Sequence, residues 1–363
     1  MSKRPYIGGQ AVLEGVMMRA PRSFAVVVRR RDGSLLVRER GMTEGAHGML
    51  RWPFLRGVAS LVESLKLGSE ALRFSAEQME KDLASSAGAG VSAVLKAVGL
   101  SLFAMATSDD GQPVQSPGAG GGGGARRLGS WLMLAVAITF FVALPQGAAA
   151  SVNRFMHLGL EVQSPQFQAI TGAFKLTIVV GYLLAIRRIP DIRRVFQYHG
   201  AEHKAISTYE AGEALTVANA RAKTTLHPRC GTTFLVMVAL VSILVFTAIG
   251  AALPRIHTGS ALADNLVFFV EKLPFLPVIV AVTFEIQRLF ARYFTTGPLR
   301  AFLWPGFLVQ KITTAEPEDG QLEVALASLR ATLFRQDRGE PADVNDDVRF
   351  GSYDALLAAQ RLR

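Results

Sequence analysis

Residues 196–204 read Phe196–Gln197–Tyr198–His199–Gly200–Ala201–Glu202–His203–Lys204, and their types and spacing suit metal chemistry. They contain H-x-x-E-H, the inverted order of the zinc-protease pattern H-E-x-x-H. On a helix turning about 100° per residue, His199 and His203 fall one turn apart on one face. Glu202 then projects about 60° to one side of His199, and His203 about 40° to the other. Two imidazoles so placed can grip one divalent ion, and a neighbouring carboxylate can take a proton from the water that the ion activates. Glu210 returns to the same face about three turns after His199. The competing reading is a pair of helix histidines that cap, pair with charges or face lipid headgroups.

Two histidines are too few for a zinc site. A second cluster, His227–Pro228–Arg229–Cys230–Gly231–Thr232, stands at the start of a long apolar run. If His199, His203, His227 and Cys230 all bind, the site is closed and structural. If three bind, a water takes the fourth place and Glu202 serves as base. The third ligand is Cys230, His227 or Glu210. Cys230 is favoured, with His227 orienting a partner. Against this, His227 reads as a loop or capping histidine and Cys230 as a small buried hydrophobe. Lys204 and Arg229 have the charge to clamp an anion, although solvated charges beside a membrane explain them more simply.

These residues need elements to hold them, and the bulk composition says which. The chain has 363 residues, of which 50% are hydrophobic and 19% charged, with mean hydropathy +0.28. That is too apolar for an ordinary soluble chain and points to several membrane spans plus a modest soluble part. Net charge is +10. Cytoplasmic loops beside anionic lipid account for it, and no specific nucleic-acid partner is expected. One cysteine, Cys230, excludes a disulfide within the chain. No apolar h-region follows the N-terminus, so no cleavable signal peptide is expected.

Four stretches read as spans: 131–150, 167–186, 232–253 and, more weakly, 275–290. The last contains Glu285, an ionisable group within a span and so a functional candidate, unless the helix tilts and sets it at the interface. Lys175 stands inside the second. Loop 187–230 carries Arg187, Arg188, Arg193, Arg194, Lys204, Arg221, Lys223 and Arg229, whereas 151–170 and 254–272 together carry Arg154, Arg255 and Lys272. The positive-inside rule sets that loop and both termini in the cytoplasm. The expected fold is a mainly α membrane protein with about four transmembrane helices and a small α+β cytoplasmic N-terminal part.

Residues 1–106 form that part. Residues 24–28 and 34–38, joined by Arg31–Asp32–Gly33, signal a hairpin. Val58, Leu61, Val62 and Leu65 recur at helical spacing, and 92–105 reads as a surface helix. Three glycines set around Glu14 allow tight turns or close backbone approach, and Arg19 is the nearest cation to Glu14. Residues 107–127 read as a flexible glycine-rich linker. Region 128–310 is the membrane domain with its loop 187–230, and 311–363 a cytoplasmic helix and acidic tail. Leu322, Ala325, Leu326, Leu329 and Leu333 mark that helix, and the last thirty or so residues are expected to be mobile apart from a short helix near 353–362.

At residues 7–19, 198–204 and 227–232, and again at Glu316–Pro317 and 321–325, the chain resembles the YqhQ-like family of bacterial membrane proteins. The resemblance covers most of the chain except the glycine linker and the tail after about Phe334. The family is described as a domain of unknown function predicted to be a metal-dependent enzyme. The resemblance therefore implies a bacterial membrane location and a metal site, and no substrate; the cytoplasmic (inner) membrane is the expected one. Together these readings lead to an expected membrane-bound, metal-dependent hydrolase, peptidase-like and with zinc as cofactor, acting at the cytoplasmic face beside membrane lipid. The alternatives are a scaffold with a structural metal and a small transporter using Glu285 and Lys175.

Overall fold

The structure, a computed structural model, describes residues 4–42, 52, 54–84, 144–250, 258–293, 301, 303–338 and 345–359. Strands Gly8–Val12 (β1), Gly15–Ala20 (β2), Ser23–Arg29 (β3) and Leu35–Gly41 (β4) form an antiparallel meander in sequence order, and Asn345–Phe350 (β5) pairs with β4. The β3–β4 turn is the one read from Asp32–Gly33. Gly33 takes φ 84°, and Asp32 Oδ1 accepts from Ser34 N at 3.0 Å, an Asx turn.

β3 is buried on both faces, and its alternation assigns each residue to a layer. Phe24, Val26 and Val28 pack with Leu67, Ala71 and Phe74 of the helix Leu55–Ala84 (α1). Ala25 and Val27 face Leu322, Leu326 and Leu329 of the C-terminal helix. Each of these larger side chains contributes about 1.5–3 kcal/mol by leaving water.

Further helices are Leu144–Phe155 (α2), Pro165–Ile186 (α3), Pro190–Ala211 (α4), Val217–Arg221 (α5), Gly231–Gly250 (α6), Ala261–Lys272 (α7), Leu276–Tyr293 (α8), Trp304–Thr313 (α9), Asp319–Arg338 (α10) and Tyr353–Ala358 (α11). Pro165 and Pro190 sit at the starts of α3 and α4, where a missing N–H costs nothing. Ser164 caps α3 by accepting from Phe167 N at 3.3 Å. Gly212, at φ 76°, ends α4 in the left-handed conformation that a side chain would disfavour.

Among the described residues, α3 and Gly231–Ile249 are long and apolar enough to cross a membrane. A third span exists if Leu266–Lys272 and Leu276–Phe290, bent by 51°, count as one. The expected fourth stretch, 275–290, is thus one arm of a bent pair. Of the expected span 131–150, residues 131–143 lie outside the described residues, and 144–150 begin the 12-residue α2. The 92–105 helix and the 107–127 linker also lie outside them.

Two further expectations need correction. Residues 345–359 are not a free tail. β5 completes the sheet by pairing along β4, and opposite Asp347 the Arg38 Nε and Nη2 each donate to its carboxylate at 2.7 Å. The short helix does form, as α11. Glu14 does not pair with Arg19, which instead reaches Glu63 at 3.2 Å. Its partner is Arg194 on α4, whose Nε and Nη2 both donate to the carboxylate at 2.6 Å. Sequence distance hid that pair, since 180 positions separate the two residues.

Candidate metal centre

α4 follows α3 after a short turn and lies against β1 and α10 through Tyr198, Ala201, Ala205 and Ile206. The same helix turns His199 and His203 the other way, towards the segment that starts α6. His199 Nε2 lies 3.2 Å from Cys230 Sγ, and the His199 and His203 ring centroids are 4.5 Å apart. His199, His203 and Cys230 each bring one donor atom within 4.8 Å of the other two.

Backbone carbonyls orient both rings. His199 Nδ1 donates to Thr313 O at 2.9 Å, and His203 Nδ1 donates to Thr225 O. With the proton fixed on Nδ1, each Nε2 is left to offer its lone pair towards the sulfur. His203 Nε2 is buried and makes no hydrogen bond of normal geometry. A buried nitrogen of that kind needs an explanation. A divalent ion supplies one, since nitrogen and sulfur ligands of a tetrahedral ion stand roughly 3.5 Å apart. The donor set therefore fits a zinc-like ion.

Charge agrees with that fit. Burial alone would raise the Cys230 thiol, but His199 and His203 hold it well below the usual thiol range. Burial works against protonation of His199, yet the neighbouring sulfur raises its pKa to about 9. This is an imidazole–thiolate pair in which a cation can replace the shared proton. Burial lowers both His203 and His227. Glu202 lies beside the cluster, and burial raises its carboxyl to about 8 against the opposing pull of His199.

His227 and Glu210 are brought together with each other instead of with the trio. His227 Nε2 and Glu210 Oε2 are 3.3 Å apart, and Arg229 pairs with the same carboxylate. The His227 ring remains near, with its centroid 5.7 Å from that of His203. Gln310 on α9 fixes this loop: its Oε1 accepts from His227 N and its Nε2 donates to His227 O, both at 2.8 Å. Lys204 is buried and engaged by Glu316 and by Arg221 O at 2.9 Å. Glu285 receives Arg56 Nε at 2.8 Å and Phe54 N at 3.3 Å, tying α1 to α8. Two residues further along α8, Gln287 Nε2 donates to Cys230 O at 3.3 Å.

Sequence reasoning missed Thr225, Thr313, Gln310 and Gly9. The two threonines act through their carbonyls, which any residue could supply, so no side-chain signal exists. Gly9 carried a signal. A Cβ there would stand 2.7 Å from Glu202 Oε1, so a side chain at this position would push the carboxylate from its place beside β1.

Fold and site together define a class: apolar helices carrying a His/His/Cys cluster braced by an antiparallel sheet. A family model described as "Protein of unknown function (DUF1385)" matches residues 52–335, and the chain belongs to that family. It is also similar to the uncharacterized protein YqhQ of Bacillus subtilis (strain 168). The two are 29% identical over 338 residues, which cover 91% of this chain and 92% of that one. No solved structure matches the chain.

Proposed function

We propose that the chain is a multi-pass protein of the bacterial cytoplasmic membrane and a metal-dependent hydrolase acting at the cytoplasmic face. One observation carries the reading: His199, His203 and Cys230 converge while His227 is held by Glu210. Three protein ligands leave a position for water or substrate, which a fourth would close. A divalent ion there, zinc first among the candidates, supplies Lewis acidity and a more acidic water. Glu202, buried beside the trio, accepts and returns the proton. Gly9 leaves the carboxylate its room, and Thr225 and Thr313 hold the rings. The topology that goes with this reading keeps the four spans, with the 187–230 loop and both termini cytoplasmic.

A second reading has its own support. The trio is largely buried and joins α4, α6 and α9, as a structural metal staple in a membrane scaffold would. One experiment separates the two. Metal content and rescue of a deletion strain are measured for the wild type, His203→Ala and Glu202→Gln. The hydrolase reading expects His203→Ala to lose metal, and Glu202→Gln to keep metal and lose rescue. A Glu202→Gln protein that keeps both supports the staple, and one without metal makes Glu202 a ligand and removes the mechanism.

A further inference from the structure

We propose that Lys204 is a positioning residue of the metal centre: its buried ammonium ties down the two chain segments whose carbonyls orient His199 and His203. The proposal rests on the metal binding that the hydrolase reading assumes, and it adds a residue that acts through the ligands.

The two carbonyls belong to separate segments. Thr225 O, which receives His203 Nδ1, lies in the loop between α5 and α6. Thr313 O, which receives His199 Nδ1, ends α9, among the last carbonyls that a helix leaves unpaired. No continuing helix fixes the direction of either group, so other anchors must. Lys204 Nζ donates to Arg221 O at 2.9 Å, four residues before Thr225. It also donates to Glu316 Oε1, three residues after Thr313. One ammonium thus reaches both segments. The Arg221 side chain closes the circuit, since its Nε donates to Asp319 Oδ1 at 3.0 Å at the start of α10.

The helix face agrees. Gln197, Gly200 and Lys204 are spaced three and four residues apart and so share one face of α4. Gln197 Nε2 donates to Glu316 O at 3.4 Å. A Cβ on Gly200 would clash with Ala315 O and stand 3.2 Å from Thr225 Cγ2, so both segments lie on this turn. Gly200 gives them room, and Lys204 holds them one turn later. His199 and His203, on the adjoining face, bond to the segments so held.

Burial explains why a lysine stands there. Its side chain is 3% exposed, whereas that of Glu316 is 69% exposed. An ammonium is costly to bury and is kept where it is paired and hydrogen-bonded. Lys204 is therefore engaged within the protein, unlike a solvated charge of a membrane-flanking loop.

The test uses the full chain in detergent, as wild type, Lys204→Met and Glu316→Ala. Methionine keeps the length of the lysine stem and removes the donor, and alanine removes only the exposed partner. In metal-free wild type, proton–nitrogen correlation spectra of the imidazoles should show His203 protonated at Nδ1. Lys204→Met should return His203 to a mixture of tautomers and bind cobalt(II) about 10–100-fold more weakly. It should also lose intensity in the visible cobalt band that tetrahedral ligands produce. Glu316→Ala should weaken cobalt binding about ten-fold. A brace of the fold alone would lower the melting temperature and leave tautomer, cobalt affinity and band unchanged, and that result overturns the proposal. Wild type with His203 protonated at Nε2 overturns it too. Should Lys204→Met fail to fold, Glu316→Ala decides, and cobalt binding equal to that of the wild type then overturns it. The two readings fail separately. Wild type that holds no metal removes the hydrolase, while the His203 tautomer still tests Lys204. Metal held alike by all three proteins, with one tautomer throughout, removes the role of Lys204 and leaves the hydrolase standing.

Discussion

The carbonyl of Ala315 occupies the space that a side chain on Gly200 would need, and the Ala315 amide donates to Phe196 O at 2.9 Å. The segment between α9 and α10 is thus laid directly on α4, within the H-x-x-E-H turn. Thr313, whose carbonyl orients His199, is two residues upstream.

Gly200→Ala should therefore destabilise the protein, against the usual helix preference. Alanine in a helix ordinarily gains about 1 kcal/mol over glycine. Overpacking against backbone costs about 1–3 kcal/mol. Thermal unfolding should show a lower midpoint, and metal affinity should fall by about 10–100-fold as the His199 support shifts. A raised midpoint would show that the contact yields freely.

Metal content should separate the trio from the pair. His203→Ala and Cys230→Ser should each strip most bound metal from purified protein, because each removes one of three donors. His227→Ala should keep near-stoichiometric metal, because His227 is engaged by Glu210. Elemental analysis of the three proteins decides, and loss of metal in His227→Ala would make the site four-coordinate and closed.

Acid should erase the contribution of the Arg38–Asp347 pair. The hydrogen bond from Arg38 holds the Asp347 carboxyl below its ordinary value. A depressed folded-state pKa stabilises fully above the unfolded value, about 3.9, and the gain is lost as pH falls through the folded value. Wild type should thus melt above Asp347→Asn at pH 7, by less than about 1 kcal/mol for so exposed a pair, and the gap should shrink as pH falls below the unfolded value. An equal gap across that range would assign the effect to packing, for instance to Arg38 stacked 4.1 Å over Phe74.

Topology is open to chemical labelling. Ala218, exposed on α5, belongs to the arginine-rich 187–230 loop. In intact cells, Ala218→Cys should react with a membrane-permeant maleimide and resist an impermeant one, while Cys230 is buried. Reaction with the impermeant reagent would invert the orientation.

Local pattern made several features legible. The H-x-x-E-H spacing is a helical periodicity, so one face for His199 and His203 follows from 3.6 residues per turn. Asp32–Gly33 announced its turn because glycine accepts positive φ where other residues strain. Unbroken apolar length marked α3 and α6, since crossing hydrocarbon needs about 20 such residues. Tertiary structure alone decided the rest. Which of Cys230, His227 and Glu210 stands with the histidines was decided by packing across elements: Gln310 of α9 holds the His227 backbone, and the His227 ring and Arg229 both meet Glu210. Residues 345–350 became a strand by pairing with β4, where Asp347 meets Arg38 across more than 300 positions. Glu14 took Arg194 instead of Arg19 for the same reason. Charges carry no address in sequence. Folding chooses their partners by which backbones come to lie side by side.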